Sequence, residues 1–162
     1  MTERLELSGR KYAIIAVSIS ILLILFVILL IRLTTNPDVV EMLIKLFQNS
    51  PFPIINGILS LFLSAYYFGK KAGYKLGRNI SLGSSIGLTT ALKVLVVLAL
   101  SVSLTAVVQI SWDEGFHPIL SVYFMLRIAV PVFLLGLPFA FLMGYGFGMV
   151  LQKELKSNKI SP

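Results

Sequence analysis

Two basic residues, Lys93 and Arg127, are the only charges that we place within hydrophobic spans of the sequence, apart from Lys70 and Lys71 at the end of the second span. A charge at the centre of a bilayer costs about 2.5–3.5 kcal/mol on insertion scales, so intramembrane charges are candidate functional residues. Lys93 and Arg127 would suit an anionic ligand, a lipid headgroup or a permeating anion. The alternative is that each side chain snorkels to the nearer headgroup layer.

Uncharged polar side chains recur at helical spacing on two spans. The stripes consist of Asn56, Ser60 and Ser64 on the second span and of Ser101, Thr105 and Gln109 on the third. Lys93 belongs to the same face of the third span, which turns gradually around the helix. In lipid such groups turn inward and hydrogen-bond between helices, at about 0.6 kcal/mol per bond. We therefore expect structural hydrogen bonds. The alternative is the lining of a narrow polar path.

Small residues also recur every four positions, which places them on one helix face. One series is Ala65, Gly69, Gly73 and Gly77, and the other is Gly136, Ala140, Gly144 and Gly148. Glycine allows two helix backbones to approach closely, so both series predict helix packing. The contacts would lie within one bundle or, alternatively, along a seam between copies of the chain.

The sequence offers few groups for catalysis. It has no cysteine, and its single histidine, His117, lies in a loop beside Pro118. We place no Asp or Glu within a span, whereas proton-coupled exporters need an intramembrane carboxylate. We therefore expect no enzyme, no cofactor and no metal site. A lipid-modifying enzyme is a weaker alternative, because its serine nucleophile would lack an identifiable base.

The composition places the chain in a bilayer. Of its 162 residues, 57% are hydrophobic and only 13% are charged, against about 25% charged residues in soluble domains. We predict a single all-α membrane domain over residues 1–162, a polytopic four-helix bundle. Its spans are 12–31, 54–74, 88–110 and 119–151, each near or above the roughly 20 residues that cross a bilayer.

Two segments do not fit the pattern of one straight helix across the bilayer. The last span is too long for one straight helix across the bilayer, so we expect a bend near Pro131 or Pro138, or a first part that lies in the interface. Residues 39–47, between the first two spans, have apolar residues on one side. They suit a short helix on the membrane surface or, equally, an ordinary loop.

The basic residues indicate the orientation. Most of the 14 Lys and Arg residues cluster before the first span, between the second and third, and after the fourth. Short basic segments stay in the cytoplasm, so we predict a bacterial inner-membrane protein with both termini cytoplasmic. The net charge of +7 then reflects topology and attraction to anionic lipid headgroups, and we expect no nucleic-acid partner.

The two halves of the sequence resemble each other weakly. An offset of 79 residues places Gly57 on Gly136 and Gly69 on Gly148. This offset suggests two tandem helical hairpins related by a pseudo-twofold axis along the membrane normal. The alternative is chance matching between apolar helices of limited composition.

These observations favour a non-enzymatic membrane protein that acts through helix packing, as an auxiliary subunit, a scaffold or a homo-oligomer. Its partners would be the lipid bilayer and another membrane protein or a second copy. The alternative is a small channel or transporter for an anion or another small solute, with Lys93 and Arg127 supplying positive potential.

Overall fold

A computed structural model of the chain describes residues 2–34, 51–78, 83–115 and 118–160, and these residues form four helices without a strand. The helices are α1 (Thr2–Thr34), α2 (Pro51–Arg78), α3 (Gly83–Glu114) and α4 (Pro118–Ile160). Each is long and apolar enough to cross a membrane. The predicted all-α, multi-pass architecture is confirmed. The surface helix predicted at 39–47 lies outside the described residues.

Local sequence explains three helix boundaries. Pro51 and Pro118 open α2 and α4, where the fixed φ of proline suits the first turn and its missing N–H is not needed. Gly115 follows the end of α3 with φ of 88°, and its N–H donates to the Ser111 carbonyl at 3.1 Å. Glycine adopts this left-handed conformation without steric cost, so it caps the helix.

The helices extend beyond the predicted apolar spans. α1 begins at Thr2 rather than near residue 12, and α4 continues to Ile160. Charged residues extend a helix when their side chains reach water or a neighbouring helix. Glu6 of α1 does so by pairing with Lys70 of α2.

α4 does not break at its prolines. It runs uninterrupted from Pro118 to Ile160 with Pro131 and Pro138 inside it, so a break at these residues is not found. Each proline removes one backbone hydrogen bond, but membrane helices tolerate this loss where neighbouring helices and local adjustments satisfy the freed groups. A bend without a break stays a prediction.

The helices pack as an antiparallel ring. α1 contacts α2, α2 contacts α3, and α3 contacts α4, while α1 and α4 also touch and α2 and α4 meet only marginally across the diagonal. The first turns of α1 therefore lie beside the last turns of α2 and α4. We call the end of the bundle that carries Thr2 and Ile160 the terminal end, and the opposite end the far end.

Burial is concentrated toward the terminal end. Leu76 of α2 and Leu151 of α4 are fully buried, and they belong to a cluster that includes Ala13, Val17 and Phe147. In the far half of α4, by contrast, no residue from Pro118 to Met143 is buried. The bundle is thus closely packed at the terminal end and open along the far half of α4.

Candidate functional site

The first hairpin is held together by a crossing of small residues. A Cβ built on Gly9 of α1 would lie 2.9 Å from the Gly73 Cα of α2, and it would also collide with the Gly69 carbonyl oxygen. A Cβ on Gly69 would meet the Ala13 Cβ at 2.5 Å. Separations this short exclude any side chain, so the two backbones touch.

The second hairpin repeats this crossing. A Cβ on Gly87 of α3 would lie 2.7 Å from the Gly148 Cα of α4 and would collide with the Gly144 carbonyl oxygen. A Cβ on Gly144 would meet the Ala91 Cβ at 2.7 Å. Each hairpin therefore pairs a Gly-x-x-x-Ala helix with a Gly-x-x-x-Gly helix.

These contacts align α2 with α4 in a register that differs from the sequence offset of 79, whereas Gly9 of α1 corresponds to Gly87 of α3 at an offset of 78. By contact, Gly69 corresponds to Gly144 and Gly73 to Gly148, an offset of 75. The same offset places the fully buried Leu76 on the fully buried Leu151. The sequence offset pairs Gly69 with Gly148, whereas the contacts pair Gly69 with Gly144, one helical turn earlier. Residues four apart share a helix face, so small residues are aligned in either register.

The remaining stripe residues on α2 and α4 also turn toward the bundle. Ala65 is 1% exposed, Ala140 lines a central cavity, and a Cβ on Gly136 would strike the Leu95 side chain of α3. Gly77 is half-buried near the end of α2. The stripes thus pack within one chain, and a seam between copies along them stays an untested prediction.

The polar stripes meet between α2 and α3. The Asn56 carboxamide nitrogen donates to the Ser101 hydroxyl at 2.8 Å and to the Thr105 hydroxyl at 2.5 Å. The Ser60 and Ser101 hydroxyls are 2.5 Å apart. Four of the six predicted residues therefore form one hydrogen-bonded cluster between the two helices.

The other two stripe residues are Ser64 and Gln109. Ser64 is buried and donates to the Leu61 carbonyl of its own helix at 3.1 Å. Gln109 lies half-buried farther along α3. Ser64 therefore makes its hydrogen bond within α2 rather than to α3.

The structure does not bring Lys93 and Arg127 together. Both are exposed, Lys93 in the terminal half of α3 and Arg127 in the far half of α4. Side chains on a helix lean toward its N-terminus. Lys93 therefore leans toward the terminal end and Arg127 toward the far end, which is the geometry of snorkelling to opposite surfaces.

All four helices line a central cavity of about 140 Å³, which is bounded almost entirely by apolar side chains. Two hydroxyl residues reach its wall. Ser20 donates to the Ala16 carbonyl at 2.8 Å and Thr90 to the Ile86 carbonyl at 2.7 Å, each within its own helix. Apolar cavities of this size characteristically hold no ordered water.

Sequence reasoning missed a polar cluster between α1 and α4 at the terminal end. The half-buried Glu154 carboxylate accepts a long hydrogen bond, 3.5 Å, from the Ser8 hydroxyl, and Tyr12 lies against it. Glu154 follows the buried Leu151 by three residues, so it shares that inward face. That spacing was the available signal, but the neighbouring Lys153 made the segment look like a solvated tail.

A second missed contact joins α1 to α2. The Arg10 guanidinium donates to the Tyr66 hydroxyl at 2.6 Å and lies 4.4 Å from the centre of that ring. It anchors α1 beside the Gly9 crossing through a cation–π contact. Among the residues that the structure describes, no group of three or more acidic, histidine or cysteine side chains could hold a metal ion.

Comparison with known proteins gives no relative: no protein-family model, curated protein or solved structure matches the chain.

Proposed function

We propose that this chain is a non-enzymatic subunit of the bacterial inner membrane that acts by packing against another membrane protein along the far half of α4. The uneven burial of α4 carries the proposal. Gly144, Phe147, Gly148 and Leu151 are buried in the terminal half, whereas no residue from Pro118 to Met143 is. Buried residues are spread along α2 and reach Ser103 on α3, whereas α1, like α4, has none among the described side chains of its far half.

The exposed side of α4 has the composition of a packing surface. Leu134, Leu135 and Leu142 are 57%, 74% and 68% exposed, with Tyr123 and Arg127 toward the far end. Aromatic residues and arginine are enriched where proteins bind one another. A partner helix on this side would bury the leucines and offer Arg127 a polar contact that lipid chains cannot provide.

The residues that a conduit would need have other contacts. Asn56, Ser101 and Thr105 are hydrogen-bonded to one another, and the central cavity is apolar. These features favour a packing role over transport. The small anion or solute channel remains the alternative, and the flux experiment in the Discussion tests it.

The orientation belongs to the same proposal. The terminal end carries Lys70, Lys71 and Lys75 of α2 together with Lys153 and Lys156 of α4. Positive charge of this kind stays on the cytoplasmic side of a bacterial inner membrane. We therefore place the terminal end, and both termini, in the cytoplasm.

Mass measurement of native particles tests the proposal. Polymer extraction without detergent keeps membrane complexes in their lipid, and we expect particles that contain this chain with a partner protein or a second copy. Leu135→Trp should reduce the complex by at least fivefold. Leu63→Trp is the matched control, because Leu63 on α2 is 68% exposed. Only monomeric particles, or equal loss in both variants, would overturn the proposal.

A further inference from the structure

Four lysines line one groove at the terminal end, away from the exposed side of α4. The groove has a volume of about 450 Å³ and brings Lys70, Lys71 and Lys75 of α2 together with Lys93 of α3. Three of these lysines belong to the basic segment at the end of the second predicted span, but Lys93 comes from the interior of the third. The fold therefore adds an intramembrane charge to a surface cluster.

The groove keeps a net positive charge after its internal pairing. Among the described residues that line it, Glu6 of α1 is the single carboxylate, and it lies 3.1 Å from the Lys70 ammonium. The Lys71 ammonium lies 4.5 Å from the centre of the Tyr67 ring, which orients the side chain and leaves its charge in place. Among the described residues, no ion pair involves Lys75 or Lys93.

Lys93 makes this groove more than a row of surface lysines. It lies about 15 Å along α3 from Gly83, at 1.5 Å per residue. Its side chain leans toward the N-terminus of α3, and thus toward the lysines of α2. An ammonium group placed at this depth is costly unless an anion or the headgroup layer receives it.

The surface beside the groove is suited to lipid. Phe68 forms part of the groove wall, and the adjoining face of α2 toward the far end exposes Leu63 and Tyr67 at 68% and 53%. A phospholipid whose headgroup entered the groove could lay its chains along this apolar face. A free anion would gain nothing from it.

We propose that this groove binds the headgroup of an anionic phospholipid that carries two phosphate groups. Lys71 and Lys75 lie one helical turn apart, so with Lys93 they spread positive charge over a length that exceeds one phosphate. Basic pockets between transmembrane helices at the cytoplasmic side recognise such headgroups. This site is independent of the packing surface on α4.

Native mass spectrometry of the full-length protein tests the site. The protein in detergent is titrated with a diphosphatidyl lipid, with singly charged phosphatidylglycerol and with phosphatidylcholine. We expect the diphosphatidyl lipid to bind at least tenfold more tightly than the other two. Lys71→Gln with Lys93→Gln should weaken its binding at least tenfold. The matched control, Lys153→Gln with Lys156→Gln, removes the same charge from exposed positions of α4 and should change binding less than twofold.

Three results would overturn the assignment. Equal weakening by the groove and control variants would indicate general attraction to charge, and equal binding of the two anionic lipids would remove the two-phosphate preference. Displacement of the lipid by inorganic pyrophosphate at a matching concentration would indicate a soluble-anion site. If the double variant does not fold, Lys75→Gln at an exposed position serves instead, with at least threefold weakening expected and an unchanged affinity contradicting the site.

Discussion

Gly87 of α3 and Gly148 of α4 lie in backbone contact, since a Cβ added to Gly87 would stand 2.7 Å from the Gly148 Cα. Gly9 and Gly73 show the same relationship on α1 and α2, at 2.9 Å. Helices in lipid associate through close packing of this kind rather than through the hydrophobic effect. Each crossing therefore holds its own hairpin together at the terminal end.

Gly148→Ala should destabilise the bundle. The added methyl group would collide with the Gly83 carbonyl oxygen and lie 2.8 Å from the Gly83 carbonyl carbon, so the helices must move apart. Overpacking of this kind costs about 1–3 kcal/mol. Reversible unfolding in mixed micelles, followed by circular dichroism, measures the change in the free energy of unfolding.

Gly146→Ala is the matched control on the same helix. A Cβ at Gly146 would have nothing within 4 Å, and alanine favours helix over glycine by up to about 1 kcal/mol. We expect unchanged or slightly increased stability. Equal destabilisation by the two substitutions would contradict the crossing.

The cluster between α2 and α3 predicts a measurable coupling. Asn56 donates to the Thr105 hydroxyl at 2.5 Å, so Asn56→Ala and Thr105→Val should be less than additive in a double-mutant cycle. Interhelical hydrogen bonds in membranes couple by about 0.6 kcal/mol on average and by up to about 1.7 kcal/mol. Unfolding free energies of the two single variants and the double variant give the value.

Thr89→Val supplies the comparison for that cycle. The Thr89 hydroxyl donates to the Ser85 and Ile86 carbonyls of its own helix, each at 3.0 Å. Its coupling with Asn56 should be zero within error. A coupling as large as that between Asn56 and Thr105 would show that the cycle reports a general loss of bundle stability rather than the hydrogen bond.

Reconstituted liposomes should show no anion flux above protein-free vesicles. Lys93 and Arg127 lie on the outside of the bundle in opposite halves, and the central cavity is apolar. Chloride and fluoride efflux, followed with ion-selective electrodes, gives the rates. A flux that Arg127→Ala abolishes and Lys156→Ala leaves unchanged would support the channel alternative instead.

The sequence lacks cysteine, so single cysteines report the orientation directly. Ser157→Cys lies at an exposed position near the end of α4, and Ile119→Cys replaces a residue that is 88% exposed at its start. A membrane-impermeant maleimide should label Ile119→Cys in intact cells and Ser157→Cys only after permeabilisation. The reverse pattern would place the termini outside the cytoplasm.

The number and order of helices could be predicted because each apolar run has the length of a membrane crossing. Helix ends were harder to predict from the sequence, because Glu6 and Arg10 extend α1 by making contacts with α2. The spacing of Asn56 and Ser60 predicted interhelical hydrogen bonds. It could not identify Ser101 as the common partner, because a stripe fixes the helix face and not the register with a neighbouring helix.

Other features depend on tertiary contacts that local sequence does not encode. Gly69 and Gly144 would look the same whether they faced their own bundle or a second copy, since both contacts require small residues. Gly9 was missed because it belongs to a single Gly-x-x-x-Ala pair, and Gly87 because its series, Gly83, Gly87 and Ala91, is shorter than the two stripes. The lysine groove likewise depends on Lys93 of α3 lying beside α2.

Site-specific photo-crosslinking in native membranes tests the central claim most directly. A photoreactive residue at position 135 of α4 replaces a leucine that is 74% exposed, and one at position 63 of α2 replaces a leucine that is 68% exposed. We predict a protein adduct, with a partner or a second copy, from position 135 and lipid adducts alone from position 63. Lipid adducts alone from both positions would contradict the proposal that α4 packs against another membrane protein.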